Sequence, residues 1–118
     1  MFEYRHLELL SQGPVSRVRL LKQKPLCAEE LAELTREWNS VADRADCRLL
    51  FVDCSSVQVM SSELLSKLIL LQWKLKQKKG RLVLAGLRDE IREVMSWTKL
   101  DRFFEIKRDE ELEAAVCA

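Results

Sequence analysis

The chain's 118 residues carry 20 lysines and arginines against 19 aspartates and glutamates, a formal net charge of +1. That balance provides no cationic field for nucleic acid and no strong pull towards anionic lipid. The length suits one domain, residues 1–118, that buries about two-thirds of its unfolded surface around a single core.

Phe2 to Leu10 alternates irregularly and reads as an edge strand, and the Gly13-Pro14 pair marks a turn after it. In Val15 to Leu21 the apolar Val18, Leu20 and Leu21 are set against outward Arg17 and Arg19, so a hairpin is expected. Lys22 to Pro25 is a loop. Cys27 to Val41 is helical: Leu31, Leu34, Trp38 and Val41 share one stripe, and Glu29, Glu30, Glu33 and Glu37 stay outside it. Trp38, at stripe spacing, is a core residue.

Leu49 to Val52 is too short for a helix, and its β-branched and aromatic content, closed by Asp53, predicts a strand covered on both faces. After Ser55-Ser56, the apolar Val57, Val59 and Met60 return the chain to the core, and Ser61-Ser62 supplies the hydroxyls expected where a helix begins. With Ser61 as N-cap, Met60 and Leu65 form a hydrophobic staple; with Ser62 as cap, the same positions would be Ser61 and Ser66 and no staple forms. Ser61 is therefore the predicted cap, which places the Ser62 hydroxyl in the first turn near the positive end of the helix dipole. The helix runs to about Lys79 on a stripe of Leu64, Leu68, Leu71 and Leu75 widened by Leu65, Ile69 and Leu70, and Gly80 is its expected C′ residue.

Arg81 to Ala85 is the next strand. Arg88 to Thr98 is a helix with Ile91, Val94, Met95 and Thr98 inward; Trp97 falls off that stripe, either on a contact surface or against Phe103. Phe103 to Lys107 is a last short strand and Asp109 to Val116 a closing helix. The alternation predicts an α/β domain with a mixed sheet of about five strands, the hairpin at one side and right-handed crossovers between parallel strands.

No catalytic constellation is evident. His6 is the sole imidazole and lies in the presumed edge strand, remote from any serine-based relay. No phosphate-binding glycine loop exists among three glycines, and cysteines 27, 47, 54 and 117 form no Cys-x-x-Cys hook. Free thiols, with Cys54 buried beside its strand, are the expectation. Asp53 reads as a loop brace. No metal, cofactor or enzymatic activity is expected. No apolar run approaches the ~20 residues needed to span a bilayer, and the N-terminus lacks a signal-peptide layout, so a cytoplasmic protein is expected.

The stretch Leu49 to Leu65 (strand, Asp53, small-residue loop, apolar triplet, serine-opened helix) resembles the STAS domain, the fold of bacterial anti-sigma factor antagonists. Gly80 to Met95 and Thr98 to Phe104 are similar to the family as well, so that the likeness covers roughly residues 14–116. In that family the loop reads Asp-Ser-Ser-Gly or Asp-Ser-Ala-Gly and its first serine is phosphorylated by a partner kinase. Counted from Asp53, the family's aspartate falls on Ser61, its phosphorylated serine on Ser62 and the next two positions on Glu63 and Leu64.

The resemblance implies an α/β STAS-like domain with about four helices, mostly on one face of the sheet. It implies a phosphoacceptor at Ser62, with Ser61 as second choice, and a binding face of Ser55, Ser56, Ser61, Ser62 and Glu63 for a serine-kinase anti-sigma factor. The chain departs from the family at Ser61 and at Glu63-Leu64, where Glu63 brings a permanent negative charge. Alternatives are an unphosphorylated scaffold subunit and, because some relatives bind nucleotides or lipids, a small-ligand sensor.

Overall fold

The computed structural model describes residues 4–21 and 27–107. Within them lie β1 (Leu7–Ser11), β2 (Val15–Leu20), α1 (Ala28–Ala42), β3 (Leu49–Asp53), α2 (Ser62–Gln77), β4 (Arg81–Ala85), α3 (Asp89–Trp97), a 3-10 turn (Leu100–Arg102) and β5 (Glu105–Lys107). The expected closing helix at 109–116, the loop at 22–25 and the start of the first expected strand at Phe2 lie outside the described residues.

The five strands form one sheet in chain order, antiparallel between β1 and β2 and parallel thereafter. A parallel pair cannot be closed by a tight turn and needs a crossover; α1, α2 and α3 supply these. Strand alternation sorts the side chains. Leu50 and Val52 of β3 and Leu82 and Leu84 of β4 point to the face carrying the helices, where they meet Leu34, Trp38, Leu68, Leu71 and Met95. Phe51, Val83 and Ala85, with Leu49 against them, form a separate small cluster on the opposite face. This two-sided burial is why the central strands read as continuous apolar runs.

Several expectations shift at element ends. The α2 stripe of Leu64, Leu68, Leu71 and Leu75 is buried, but Leu70 is exposed: it stands two positions from Leu68, about 200° round the helix, and so faces water. In α3 only Ile91 and Met95 are buried; Val94 and Thr98 are exposed, because a nine-residue helix at the sheet's end covers the core with a narrow seam. Phe103 lies outside β5, in the turn that leads to it, and makes an edge-to-face contact with Phe104 at 5.0 Å. Trp97 stands 82% exposed and belongs to the surface.

The end of α2 also differs from expectation. The left-handed residue is Lys79, with φ 61°, and not Gly80. The Gly80 N–H donates to the Leu75 carbonyl at 2.7 Å and the Lys79 N–H to that of Lys76 at 3.0 Å, the double closure of a Schellman motif. Gly80 is needed one position later for space: a Cβ there would lie 3.0 Å from the Arg48 carbonyl oxygen and 3.1 Å from that of Leu75.

Candidate functional site

The corner that follows β3 is built in three steps. Asp53, buried at the strand's carboxyl end, accepts the Ser55 N–H at 2.9 Å through one carboxylate oxygen and the Arg19 Nε–H at 3.1 Å through the other. It therefore braces the loop to the neighbouring strand. The Cys54 N–H donates to the Ala85 carbonyl and the Val57 N–H to that of Cys54, which closes a tight turn. Ser55 at this turn is exposed and Ser56 half-buried. Burial pushes the Cys54 thiol up to about 12, with the Asp53 charge adding to the effect, so Cys54 is a neutral core residue.

Val57 then enters the core and Met60 packs half-buried against it, but Val59 between them stands 57% exposed. The apolar triplet is thus only partly a return to the core: the chain bends at Gln58, so that Val59 faces out two residues after buried Val57 and Met60 turns back in.

The helix start separates the two serines. Ser61 is the N-cap, half-buried, and its Oγ accepts the Leu64 N–H at 3.1 Å. Met60 and Leu65, the staple pair, both pack on the core and both line the same groove. Ser62 opens the first turn, exposed, with its Oγ 3.4 Å from Glu63 Oε2, and Glu63 is exposed beside it. The cap therefore takes up the Ser61 hydroxyl and leaves that of Ser62 facing solvent at the positive end of the helix dipole. The five residues expected to form a binding face lie along this one corner; Ser55, Ser62 and Glu63 are exposed and Ser56 and Ser61 half-buried.

Beside the corner, between the β3–α2 loop and α3, lies a groove of about 260 Å³ with walls that include Val59, Met60, Leu65, Ile91, Val94 and Met95 and with Glu90 and Thr98 among its polar members. The helical stripe rule had assigned Val94 to the core and so concealed it. The available signal was the spacing itself: Ile91 and Met95 already complete the i, i+4 seam, and that leaves Val94 on a flank.

His6 sits away from the corner. It is buried at the start of β1, with its Nε2 2.7 Å from Glu33 Oε2 on α1 and its backbone N–H donating to Glu37 at 2.8 Å. This hydrogen bond holds the Glu33 carboxyl below its ordinary value. The pair clasps α1 to the sheet edge. Among the described residues no group of three or more His, Cys, Asp or Glu side chains is placed to hold a metal ion, and no helix is long and apolar enough to cross a membrane.

A mixed five-stranded sheet with its described helices on one face, and a serine-capped helix at the carboxyl edge of its central strand, defines the class to which this domain belongs. The family model described as STAS domain matches residues 14–113, and the chain belongs to that family. No curated protein sequence matches it significantly. Among solved structures it is similar to TM1081 of Thermotoga maritima (19% identity, TM-score 0.77, covering 98% of this chain and 97% of that one). It is also similar to an anti-sigma-factor antagonist (STAS) domain protein of Planctomyces limnophilus (16%, 0.77, 95% and 98%). A third likeness is to the phosphorylated form of the Bacillus cell fate determinant SpoIIAA (14%, 0.67, 93% and 96%). At these identities the likeness establishes the fold, which is that of anti-sigma factor antagonists.

Proposed function

We propose that the chain is a phospho-regulated, non-catalytic binding module of bacterial cytoplasmic signalling, an anti-sigma factor antagonist that binds a serine-kinase anti-sigma factor through the Ser55–Glu63 corner. The observation that carries this reading is the division of labour at the α2 N-terminus: Ser61 commits its oxygen to the cap, and Ser62 is exposed, its hydroxyl donating a long hydrogen bond (3.4 Å) to the neighbouring Glu63. SpoIIAA, which shares the fold, has been solved in phosphorylated and unphosphorylated forms. Phosphate on Ser62 would put about −2 charges beside Glu63. Covered by a partner and without a cation of its own, that dianion would be costly to bury, and the complex would weaken.

The test is incubation with serine-kinase anti-sigma factors and ATP, followed by mass-spectrometric site mapping. Modification at Ser62, with loss of the complex, is expected; modification confined to residues other than Ser61 and Ser62 would remove the switch.

One observation favours a second reading. Glu63 already places a carboxylate 3.4 Å from the Ser62 hydroxyl, a fixed negative charge where a switch would add one. In that case the chain is an unphosphorylated scaffold subunit, and a stoichiometric complex that ignores Ser62→Asp would establish it. The small-ligand reading would have to use the groove beside the corner, and a thermal-shift screen against nucleotides and lipids tests it.

A further inference from the structure

The charge balance that argues against a pull towards anionic lipid belongs to the total, and the fold distributes it unevenly. Strands β2 to β5 run parallel. The carboxyl ends of α1, α2 and α3 and the amino ends of the strands they feed therefore gather at one edge of the sheet, with the serine corner at the other. At the first edge, in residues 43–48, 76–81 and 98–105, stand the exposed Arg48, Lys76, Lys79, Lys99 and Arg102 and the half-buried Lys78. The acids there are mostly neutralised: Asp43 pairs with Lys74 at 2.7 Å, Asp46 with Arg44 at 3.3 Å and Glu105 with Arg81. Asp101 has no cation partner among the described residues, and none of those six cations has a carboxylate partner among them. A helix carboxyl end answers to about half a negative charge, so the dipoles of α1, α2 and α3 do not account for this excess.

The same edge exposes aromatic surface. Trp73, one turn before the end of α2, is 63% exposed; Trp97, the last residue of α3, is 82% exposed; and Phe103, directly after the 3-10 turn, is 39% exposed. Phe103 is tied to α2 by the Gln72 side-chain amide, which donates to its carbonyl, and by Lys76, whose Nζ lies 5.5 Å from its ring centroid. Leu70, 59% exposed, stands one turn behind Trp73. We infer that this edge is a landing surface for a bilayer rich in anionic lipid. Trp73, Trp97 and Phe103 enter the headgroup region, and the lysines and arginines around them meet lipid phosphates. This inference uses no part of the serine corner and goes beyond that reading.

Charge selects an anionic occupant and disfavours a second copy, which would set cation against cation across a two-fold axis. Shape and side-chain chemistry then select a membrane over nucleic acid. Single-stranded nucleic acid is held in a basic groove that tracks its backbone, with bases stacked on aromatic rings. Here the tryptophans project from helix ends, and Leu70 beside them is aliphatic and offers no stacking face. The cavity next to this edge is lined by residues that include Asp89, Glu93 and Asp101 with Arg92, and is not basic. Projecting indoles and aliphatic groups ringed by lysine are the pattern of a protein that lies on a membrane interface. Lysine and arginine stems reach past such groups to the phosphate level. The corner stays clear of the bilayer, because α2, 16 residues and about 24 Å long, separates the two edges.

The experiment mixes the full chain with vesicles of phosphatidylcholine alone, or of equal parts phosphatidylcholine and phosphatidylglycerol, and follows sedimentation and tryptophan emission. Trp38 is buried in the core, so a change in emission reports Trp73 and Trp97. Binding to the phosphatidylglycerol vesicles is expected, with a blue shift and quenching by brominated acyl chains, and little binding to phosphatidylcholine. Partitioning should fall about tenfold or more in Lys76→Glu with Arg102→Glu, in Trp73→Ser with Trp97→Ser, and on raising salt from about 0.1 to about 0.5 M. All four positions are exposed. Unchanged circular dichroism checks that the variants fold, and Lys76→Gln with Arg102→Gln is a milder second probe.

Equal binding to the two kinds of vesicle overturns the proposal, as does no binding to phosphatidylglycerol at low salt. It also falls if the chain adsorbs with its emission unmoved, since the tryptophans then stay in water. A single-stranded oligonucleotide or a glutamate-rich helical peptide that shifts the emission where vesicles do not overturns it in favour of that partner. The outcome is separable from the phospho-switch. Ser62→Asp, farther from this edge than the ~10 Å Debye length, should leave partitioning unchanged; a tenfold loss in that variant would move the contact to the corner and remove this inference. Failure of a kinase to modify Ser62 removes the switch and leaves the vesicle result standing.

Discussion

Ser61 and Ser62 are adjacent and chemically identical, and the backbone alone distinguishes them. Removing the Ser61 oxygen orphans the Leu64 N–H at a half-buried helix start, so Ser61→Ala should cost about 1 kcal/mol in urea unfolding, whereas Ser62→Ala should stay within about 0.5 kcal/mol. Comparable losses at both positions would mean that Ser62 too is structural. The thiols are sorted by burial in the same way. Cys27 is exposed while Cys47 and Cys54 are buried, and Cys54 is raised to about 12. Since the thiolate is the nucleophile, an alkylating reagent at pH 8 should modify Cys27 quickly and reach Cys47 and Cys54 only on unfolding.

The His6 clasp makes a pH prediction. The hydrogen bond from His6 is the main influence holding the Glu33 carboxyl below its ordinary 4.5, and the Arg81 pair does the same for Glu105. A carboxyl depressed in the folded state contributes stability that is present above its unfolded value and lost as pH falls through the folded one. Melting temperature should therefore hold above about pH 5 and fall below pH 4.5, with a shallower fall in Glu33→Gln. An acid limb identical in that variant would mean that Glu33 contributes nothing there.

At the scale of elements, the middles of helices and strands were legible from the sequence and their ends much less so. The stripe of Leu64, Leu68, Leu71 and Leu75 needed only the 3.6-residue period. The end of α2 needed three-dimensional information: Gly80 reads as the left-handed residue because glycine usually fills that place, yet here Lys79 takes it and glycine is reserved for a close approach of the Arg48 backbone. Backbone oxygens cannot move aside as a side chain can, so Gly80→Ala should destabilise by about 1–2 kcal/mol. Lys79→Gly should change stability by no more than about 0.5 kcal/mol, because relief of the left-handed strain is offset by the greater freedom of glycine in the unfolded chain. If the conventional assignment held, glycine at 79 would bring no relief and alanine at 80 would carry the left-handed penalty in place of a clash; backbone φ at both positions from NMR couplings decides between them. Val94 is a parallel case. It reads as core only if α3 is assumed to bury a broad face, and the burial of Ile91 and Met95 alone shows that it does not.

For the molecule as a whole, the strand order is not written locally, because alternation leaves open on which side each new strand pairs. The antiparallel start and the parallel run after it do follow from a hairpin and then strictly alternating helix and strand, which the sequence displays locally. The corner was legible for the same reason, since Asp53, Ser61 and Leu65 lie within one short stretch. The groove was not, because it joins residues 58–65 to residues 90–100 across the β4 crossover, and no local pattern reports such a pairing. This separation between a locally written corner and a tertiary groove bears on how a phosphomimetic change should be read. An acid at Ser62 lies in the first turn of α2, where negative charge is favourable by about 0.3–1 kcal/mol, and Glu63 next to it opposes part of that gain. Ser62→Asp should therefore leave the melting temperature unchanged or slightly raised. Any loss of a kinase complex in that variant then belongs to the interface and not to the fold. A clear fall in melting temperature would instead show the Ser62 hydroxyl to be a structural group, and loss of binding by the variant would no longer speak for a switch.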